Sequence, residues 1–176
     1  MDDNLPVIYL SGLLIFVAGL AIFVLFQIVR TRRFEGRFSR LQKKLKEQKG
    51  TAQEYYELGS MFLDKKLYVQ AINLLQKSLK SEDDIAPENK ALIYNALGFS
   101  YFAQEQYELA IRNYKEAIKL YPQYVIALNN LANIYEKKQM TAKALETYEE
   151  TLKHEPQNSV AKRRAESLRK RFIAQG

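Results

Sequence analysis

The feature that most constrains this chain is a pattern of large and small residues that returns at a fixed spacing. Its clearest copy consists of Tyr94, Leu97, Gly98, Tyr101, Ala110, Tyr114, Ala117 and Pro122. The pattern returns 34 residues later as Leu128, Leu131, Ala132, Tyr135, Ala144, Tyr148, Thr151 and Pro156. An upstream copy consists of Tyr55, Leu58, Gly59, Phe62, Ala71, Leu75 and Ser78. Such a period predicts stacked copies of one small unit instead of a single closed core.

A period near 34 residues is typical of tetratricopeptide repeats, in which each unit is a pair of antiparallel helices. We predict three repeats, at residues 52–85, 91–124 and 125–158. The first two copies are offset by 39 residues, so the acidic stretch 81–90 holds five extra residues. The small residues of the pattern are placed where close packing requires two helices to approach most tightly.

Local signals define where the repeat helices begin and what closes the array. Thr51 and Glu54 have the spacing of a capping box, and Pro87 suits the first position of a helix. After Pro156, the basic segment 159–176 carries apolar residues on one helical face: Ala161, Ala165, Leu168 and Phe172. One apolar and one charged face is what a terminal capping helix needs. The sequence therefore predicts an all-α right-handed superhelix at 51–158, closed by a capping helix and tail at 159–176.

The front of the chain is apolar over a length that matches a lipid bilayer. No charged residue occurs from Val7 to Phe26. Twenty helical residues extend roughly 30 Å, the thickness of the hydrocarbon core. We expect a transmembrane helix at 7–29, preceded by a short lumenal or exoplasmic tail at 1–6. A cleaved signal peptide fits less well, because the leader carries Asp2 and Asp3 and the apolar run is too long.

The charges that flank this apolar stretch predict its orientation. Residues 30–49 contain nine basic side chains against Glu35 and Glu47, whereas the other flank offers only Asp2 and Asp3. The positive-inside bias then keeps the repeats on the cytoplasmic, or topologically equivalent, side. The basic residues that we expect beside the membrane are Arg30, Arg32, Arg33, Arg37 and Arg40.

Two interpretations of residues 30–50 stay open. Phe34, Phe38, Leu41 and Leu45 recur at helical spacing, which favours an amphipathic helix on the membrane surface. A stop-transfer signal followed by a solvated juxtamembrane linker is the alternative, and Gly36 favours it slightly.

Composition argues against nucleic-acid binding and against catalysis. The net charge is +7, yet residues 52–158 hold 12 basic and 15 acidic side chains, so the basicity belongs to the two ends. A nucleic-acid binder would place positive charge along its working surface. The chain has no cysteine, one histidine and no phosphate-binding, metalloprotease or hydrolase motif. We therefore expect no enzyme activity, catalytic residue, metal or cofactor.

The first helices of stacked repeats line the concave side of the array, where a partner would bind. Amide and aromatic side chains suit a groove that holds an extended peptide. The predicted groove residues are Tyr56, Asn95, Phe99, Phe102, Asn129 and Asn133. Two alternatives stay open, since some of the aromatic rings could instead pack between helices, and Asn129 and Asn130 cannot both face the groove. Lys and Arg are missing from these positions, so a clamp for a C-terminal carboxylate is disfavoured.

Four segments carry a resemblance to a known family. They are LPVIYL before the apolar stretch, TAQEYYELGSMFLDKK in the first repeat, YNALGFSYFAQEQYELAIRNYKEAIKLYPQYVIALNNLANIYEKK across the next two, and KRRAESLRKR near the C-terminus. The chain resembles the cyanobacterial and plastid photosystem I assembly proteins with tetratricopeptide repeats, the family of hypothetical chloroplast reading frame thirty-seven. The resemblance covers nearly the whole chain.

This resemblance implies a thylakoid membrane protein that assists the assembly or stability of photosystem I. Its expected partners are photosystem I subunits or assembly intermediates, other assembly factors, and the membrane crossed by one span, with the repeats on the cytoplasmic or stromal side. Two alternatives use the same groove and anchor. One is a general cofactor of membrane-protein insertion or secretion, and the other is an anchored regulatory subunit of an enzyme.

Overall fold

The computed structural model of the chain describes the backbone of residues 5–174 and the side chains of residues 9–171. All regular structure in this range is helical: α1 (Leu5–Glu47), α2 (Ala52–Asp64), α3 (Tyr68–Leu79), α4 (Pro87–Ala103), α5 (Tyr107–Leu120), α6 (Val125–Lys137), α7 (Thr141–His154) and α8 (Ser159–Ala174). Within the predicted tail at 1–6, residues 1–4 lie outside the described residues, as does the side chain of Phe172. The chain divides into two compact units, one with α1 and one with α2–α8.

The helix α1 is continuous over 43 residues and extends well beyond the apolar stretch. Within the described residues, it is the one helix that is long and apolar enough to cross a membrane, with a mean hydropathy of 2.7 in its most apolar window. Pro6 lies in its first turn, where an N–H has no intrahelical acceptor, and the next proline is Pro87, so no backbone donor is missing from the interior of this helix. Gly36 lies within it, and the rings of Phe34 and Phe38 stack with centroids 6.4 Å apart.

The second unit is an array of three helical hairpins, as the repeat period predicts. The pairs α2–α3, α4–α5 and α6–α7 form the hairpins, and neighbouring hairpins pack through α3 against α4 and α5 against α6. The helix α8 packs on α7 and closes the array with Ala161, Ala165 and Leu168 buried. The predicted all-α superhelix with a C-terminal capping helix is confirmed.

Small residues in the first helix of each hairpin allow the second helix to approach. A Cβ atom added to Gly98 would lie 2.7 Å from the ring of Tyr114, which is almost completely buried. A Cβ atom on Gly59 would lie 3.1 Å from the side chain of Leu75. Ala132 is fully buried at the equivalent position of the third hairpin. The small residues of the repeat pattern thus occur where the two helices of a hairpin are in closest contact.

The first helix of every hairpin ends in the same hydrogen-bonded turn. In the second hairpin, the amide of Glu105 donates to the Phe102 carbonyl and the amide of Gln106 donates to the Tyr101 carbonyl, both over 2.9 Å. This is the Schellman arrangement, which needs one residue in the left-handed conformation. The three such residues, none of them glycine, are Lys66, Glu105 and Gln139, with φ near 60° in each case. Because the turn is the same in each hairpin, the second helix leaves the first in the same direction in all three.

The acidic insertion helps to cap the array at its first helix. Thr51 and Glu54 form the predicted capping box at the start of α2. In addition, the backbone N–H of Ala52 donates to the carboxylate of Asp83, which satisfies a donor that a helix start leaves without an intrahelical partner. Pro87 lies in the first turn of α4, as predicted. The insertion therefore has a structural contact and is more than a loose loop.

We predict that Gly98→Ala destabilises the array although alanine favours helix. The buried Tyr114 ring cannot move away, so overpacking costs about 1–3 kcal/mol, against a gain of about 1 kcal/mol in helix propensity. The expected net loss is up to about 2 kcal/mol, measured by urea unfolding of the full chain in detergent micelles. Gly59→Ala is the matched control and should be nearly neutral, because Leu75 can shift. An equal loss in both variants would contradict this account.

The capping helix is also tied to the third hairpin by a polar network. The Tyr148 hydroxyl donates to one carboxylate oxygen of Glu136 (3.3 Å), and Arg164 of α8 donates to the other (3.4 Å). Arg169 makes a second link, donating to Glu149 over 2.7 Å. Burial raises the pKa of Tyr148 to about 12, and the negative charge of Glu136 adds to the shift.

This raised pKa predicts a loss of stability at alkaline pH. The unfolded chain releases the tyrosine proton near pH 10, whereas the folded chain holds it to about pH 12. The contribution of Tyr148 to the free energy of unfolding is complete below about pH 10. It is lost as the pH rises toward about 12, by up to about 1.4 kcal/mol per pH unit. Urea midpoints of wild type and Tyr148→Phe, compared below and within this window, should show a smaller decline in the variant. Identical declines would exclude Tyr148 as a cause.

Candidate functional site

The concave side of the array contains a groove formed by the first helices of the three hairpins. Its volume is about 570 Å³. The lining from α2, the following turn and the start of α3 is Tyr56, Ser60, Leu63, Asp64, Lys66 and Tyr68. The lining from α4 and α6 is Leu92, Asn95, Ala96, Phe99, Ile126 and Asn130. We call this surface the groove.

Two large apolar side chains are held at the solvent side of the groove. Phe99 is 43% exposed and Ile126 is 57% exposed. The ring of Tyr68 meets that of Phe99 edge to face, with centroids 6.5 Å apart, and this contact restricts the ring of Phe99. A restricted, partly exposed ring loses little freedom on binding and is therefore suited to anchor an apolar side chain of a partner.

A pair of amide side chains crosses the groove from α4 to α6. The Asn130 amino group donates to the Asn95 carbonyl over 3.1 Å, and both residues are half-buried. An amide has two donors and one acceptor with two lone pairs. The bond therefore leaves the Asn95 amino group and a lone pair of the Asn130 carbonyl for hydrogen bonds to an extended peptide backbone.

The structure brings together three of the six predicted groove residues and gives the others different surroundings. Tyr56, Asn95 and Phe99 line the groove. Phe102 is half-buried, packs on the core and lies 5.9 Å from the ring of Tyr107. Packing between helices is the alternative that the sequence leaves open for the aromatic residues.

The two neighbouring asparagines of α6 have different roles. Asn130 lines the groove, whereas the Asn129 amino group donates to the side chain of Asn158 over 3.3 Å. Asn158 also accepts from the backbone of Ala161 and so caps α8. Asn133 is half-buried on α6 and lies outside the groove lining. Helical spacing could have identified Asn130, since it follows Ile126 by four residues on one face.

The charges of the groove do not form a clamp for a carboxylate. Asp64, the last residue of α2, and Lys66, in the turn that follows, have opposite charge. Among the described residues, no cluster of His, Asp or Glu has the arrangement of a metal site. The arrangement is suited to recognition of a polypeptide through apolar contacts and amide hydrogen bonds.

The predicted membrane-flanking residues follow the apolar stretch within α1. All five side chains are exposed: Arg30, Arg32, Arg33, Arg37 and Arg40. Each Lys or Arg near an anionic lipid surface contributes about 1 kcal/mol of attraction.

Comparison with known proteins identifies relatives along almost the entire chain. A profile described as TPR repeat matches residues 98–139, and one described as tetratricopeptide repeat matches residues 125–158. The protein ycf37 of Cyanophora paradoxa is 38% identical over 164 residues, which cover 93% of this chain and 95% of that protein. The chloroplastic tetratricopeptide repeat domain-containing protein PYG7 of Arabidopsis thaliana is 35% identical over 167 residues, covering 93% of this chain and 55% of its own length. These matched lengths exceed the repeats and include much of α1.

A solved structure supports the same architecture. The crystal structure of MamA superimposes with a TM-score of 0.70 and 26% sequence identity, and the match covers 79% of each chain. Tetratricopeptide repeats are typical of protein-interaction modules, because their stacked helices present an extended concave surface.

We predict that Phe99 and Phe102 differ sharply in their contribution to folding. Phe102→Ala removes a ring that packs on the core and should lower the free energy of unfolding by about 2 kcal/mol. Phe99→Ala, the matched control, removes a partly exposed ring and should cost well under about 1 kcal/mol. Thermal unfolding followed by circular dichroism measures both. A larger loss for Phe99→Ala would mean that this ring belongs to the core and not to a binding surface.

Proposed function

This chain belongs to the ycf37 family, as its sequence resemblance predicted, and we propose that it is a membrane-anchored scaffold that assists assembly or stability of photosystem I at the thylakoid. The observation that carries the proposal is the union, in one chain, of a long apolar helix and a repeat groove with exposed apolar anchors. The family resemblance supports a role in photosystem I assembly. The name of the Arabidopsis relative describes a chloroplast protein, which supports a location in the plastid or its cyanobacterial equivalent.

In this proposal α1 crosses the membrane once and the repeats face the cytoplasm or stroma. The apolar part of α1 is followed directly by exposed arginines, and this asymmetry favours retention of the C-terminal unit on the non-translocated side. Only residues 48–51 separate α1 from α2. This short connection tethers the repeat unit covalently to the anchor.

Anchoring changes how often the groove meets its partner. A tether confines the groove to the layer of solvent beside the bilayer, so a membrane-embedded partner meets it at a raised effective concentration. Moderate affinity is then sufficient for capture, and release remains fast enough for an assembly factor that leaves the finished complex. Soluble proteins of equal affinity would compete poorly.

The proposed ligand is an extended segment of an unassembled photosystem subunit or of another assembly factor. Tyr56, Asn95 and Phe99 would contact it within the groove, together with Asn130 and Ile126. The other three residues predicted from the sequence are Phe102, Asn129 and Asn133. They would contact the ligand at the edge of the groove or hold the groove helices in position. The alternative function is a general cofactor of membrane-protein insertion that uses the same groove. An experiment must distinguish it from a role specific to photosystem I.

The proposal predicts a specific defect and a specific set of partners. A deletion strain should contain less photosystem I and normal amounts of other membrane complexes. Affinity isolation of the anchored full chain from detergent extracts should enrich photosystem I intermediates, and Phe99→Ala should lower that enrichment while the protein stays folded. Normal photosystem I levels without such enrichment would refute the proposal, whereas recovery of translocon components with many clients would favour the insertion cofactor.

A further inference from the structure

A second cavity adjoins the groove at the start of α2 and α4. Its volume is about 290 Å³, and it shares Tyr56 and Leu92 with the groove. The acidic insertion between α3 and α4 forms one wall, while the first turn of α2 forms another. A segment bound in the groove would therefore pass beside this cavity.

The carboxylates of the insertion do not have the same role. Asp83 accepts from the backbone of Ala52 at the start of α2. Glu82 pairs with Lys49 over 3.0 Å. Asp84 lines the cavity and has no hydrogen bond or ion pair within the described part of the chain. Two contacts thus hold the insertion in place, and one carboxylate remains for a ligand.

The cavity lining combines an apolar part with a negatively charged part, and this combination suits a Lys or Arg side chain. The apolar part consists of Ile85, Leu92, Ile93 and the ring of Tyr56. The charged part is Asp84 together with Asp83, and neutral polar groups complete the lining: Thr51, Gln53 and Asn89. Lys and Arg have an aliphatic stem that favours apolar surroundings and a charged tip that favours water or a carboxylate. A cation near an aromatic ring is attracted further. A ligand carboxylate would instead be repelled by Asp84 and the neighbouring Asp83.

We propose that this cavity is a subsite for a Lys or Arg side chain of the segment that the groove binds. This inference rests on the proposed function, because it assumes that the groove holds a polypeptide. It specifies the ligand: an apolar side chain contacts Phe99 and Ile126, and a basic side chain a short distance along the segment enters the cavity. The excess of acidic side chains in the repeats, 15 against 12 basic ones in residues 52–158, favours such a segment over an acidic one.

The test uses random short peptides displayed on phage, selected on the full-length chain in nanodiscs of phosphatidylcholine. Zwitterionic lipid avoids capture of basic peptides by the membrane, and empty nanodiscs remove the remainder. Wild type should enrich Lys or Arg at a fixed spacing from an apolar residue. Asp84→Asn should lose this enrichment and Glu88→Gln should keep it, since Glu88 is exposed, close in sequence and outside the cavity lining.

The selected peptides then give a quantitative measurement. The best peptide should bind Asp84→Asn about twofold to fivefold more weakly than wild type, the range for an exposed charge pair. Replacing its basic residue by norleucine should weaken binding to wild type and leave binding to Asp84→Asn nearly unchanged. Enrichment without a basic residue, or equal affinity for both proteins, would overturn the subsite. If Phe99→Ala recovers the same peptides at the same level, the groove itself is wrong.

Discussion

The structure of the repeats depends on how closely the two helices of each hairpin approach. Gly98 leaves room for the ring of Tyr114, and Gly59 leaves room for Leu75. The same contact at Ala132 and Ala144 is made by fully buried alanines. Because packed interiors tolerate little excess volume, these positions determine the distance between helices and the stacking of the hairpins. The curvature of the array, and therefore the groove, follows from them.

The groove is formed mainly by residues of the first helices that the packing of the array leaves partly exposed. Each hairpin uses one face of its first helix for packing, and the residues left on the opposite side converge across the hairpins. Asn95 and Asn130 meet in this way although 35 residues separate them. Phe99 and Ile126 remain partly exposed at the same surface. Recognition thus comes from positions between those of the repeat pattern, and those positions can vary without loss of the fold.

The fold could be predicted from the sequence, whereas the detailed choice of groove residues could not. The period, the capping box at Thr51 and the helix start at Pro87 are local signals, and each is present in the structure. The choice between Asn129 and Asn130 depends on helix rotation by one residue and on the distant partner Asn158. The role of Asp83 depends on a contact across 31 residues. Such tertiary contacts have no periodic signature in the sequence and therefore could not be predicted from it.

The anchor, the groove and the charged subsite together support one proposal, that the concave surface holds a segment of a photosystem I subunit at the membrane. Site-specific photo-crosslinking in thylakoid membranes tests this most directly. A photoreactive residue at Ile126, in the groove, should form crosslinks to photosystem I subunits. The same residue at Leu109, which is exposed on α5 outside the groove, should not. Equal crosslinking from both positions, or crosslinks from Ile126 to unrelated membrane proteins alone, would contradict the claim.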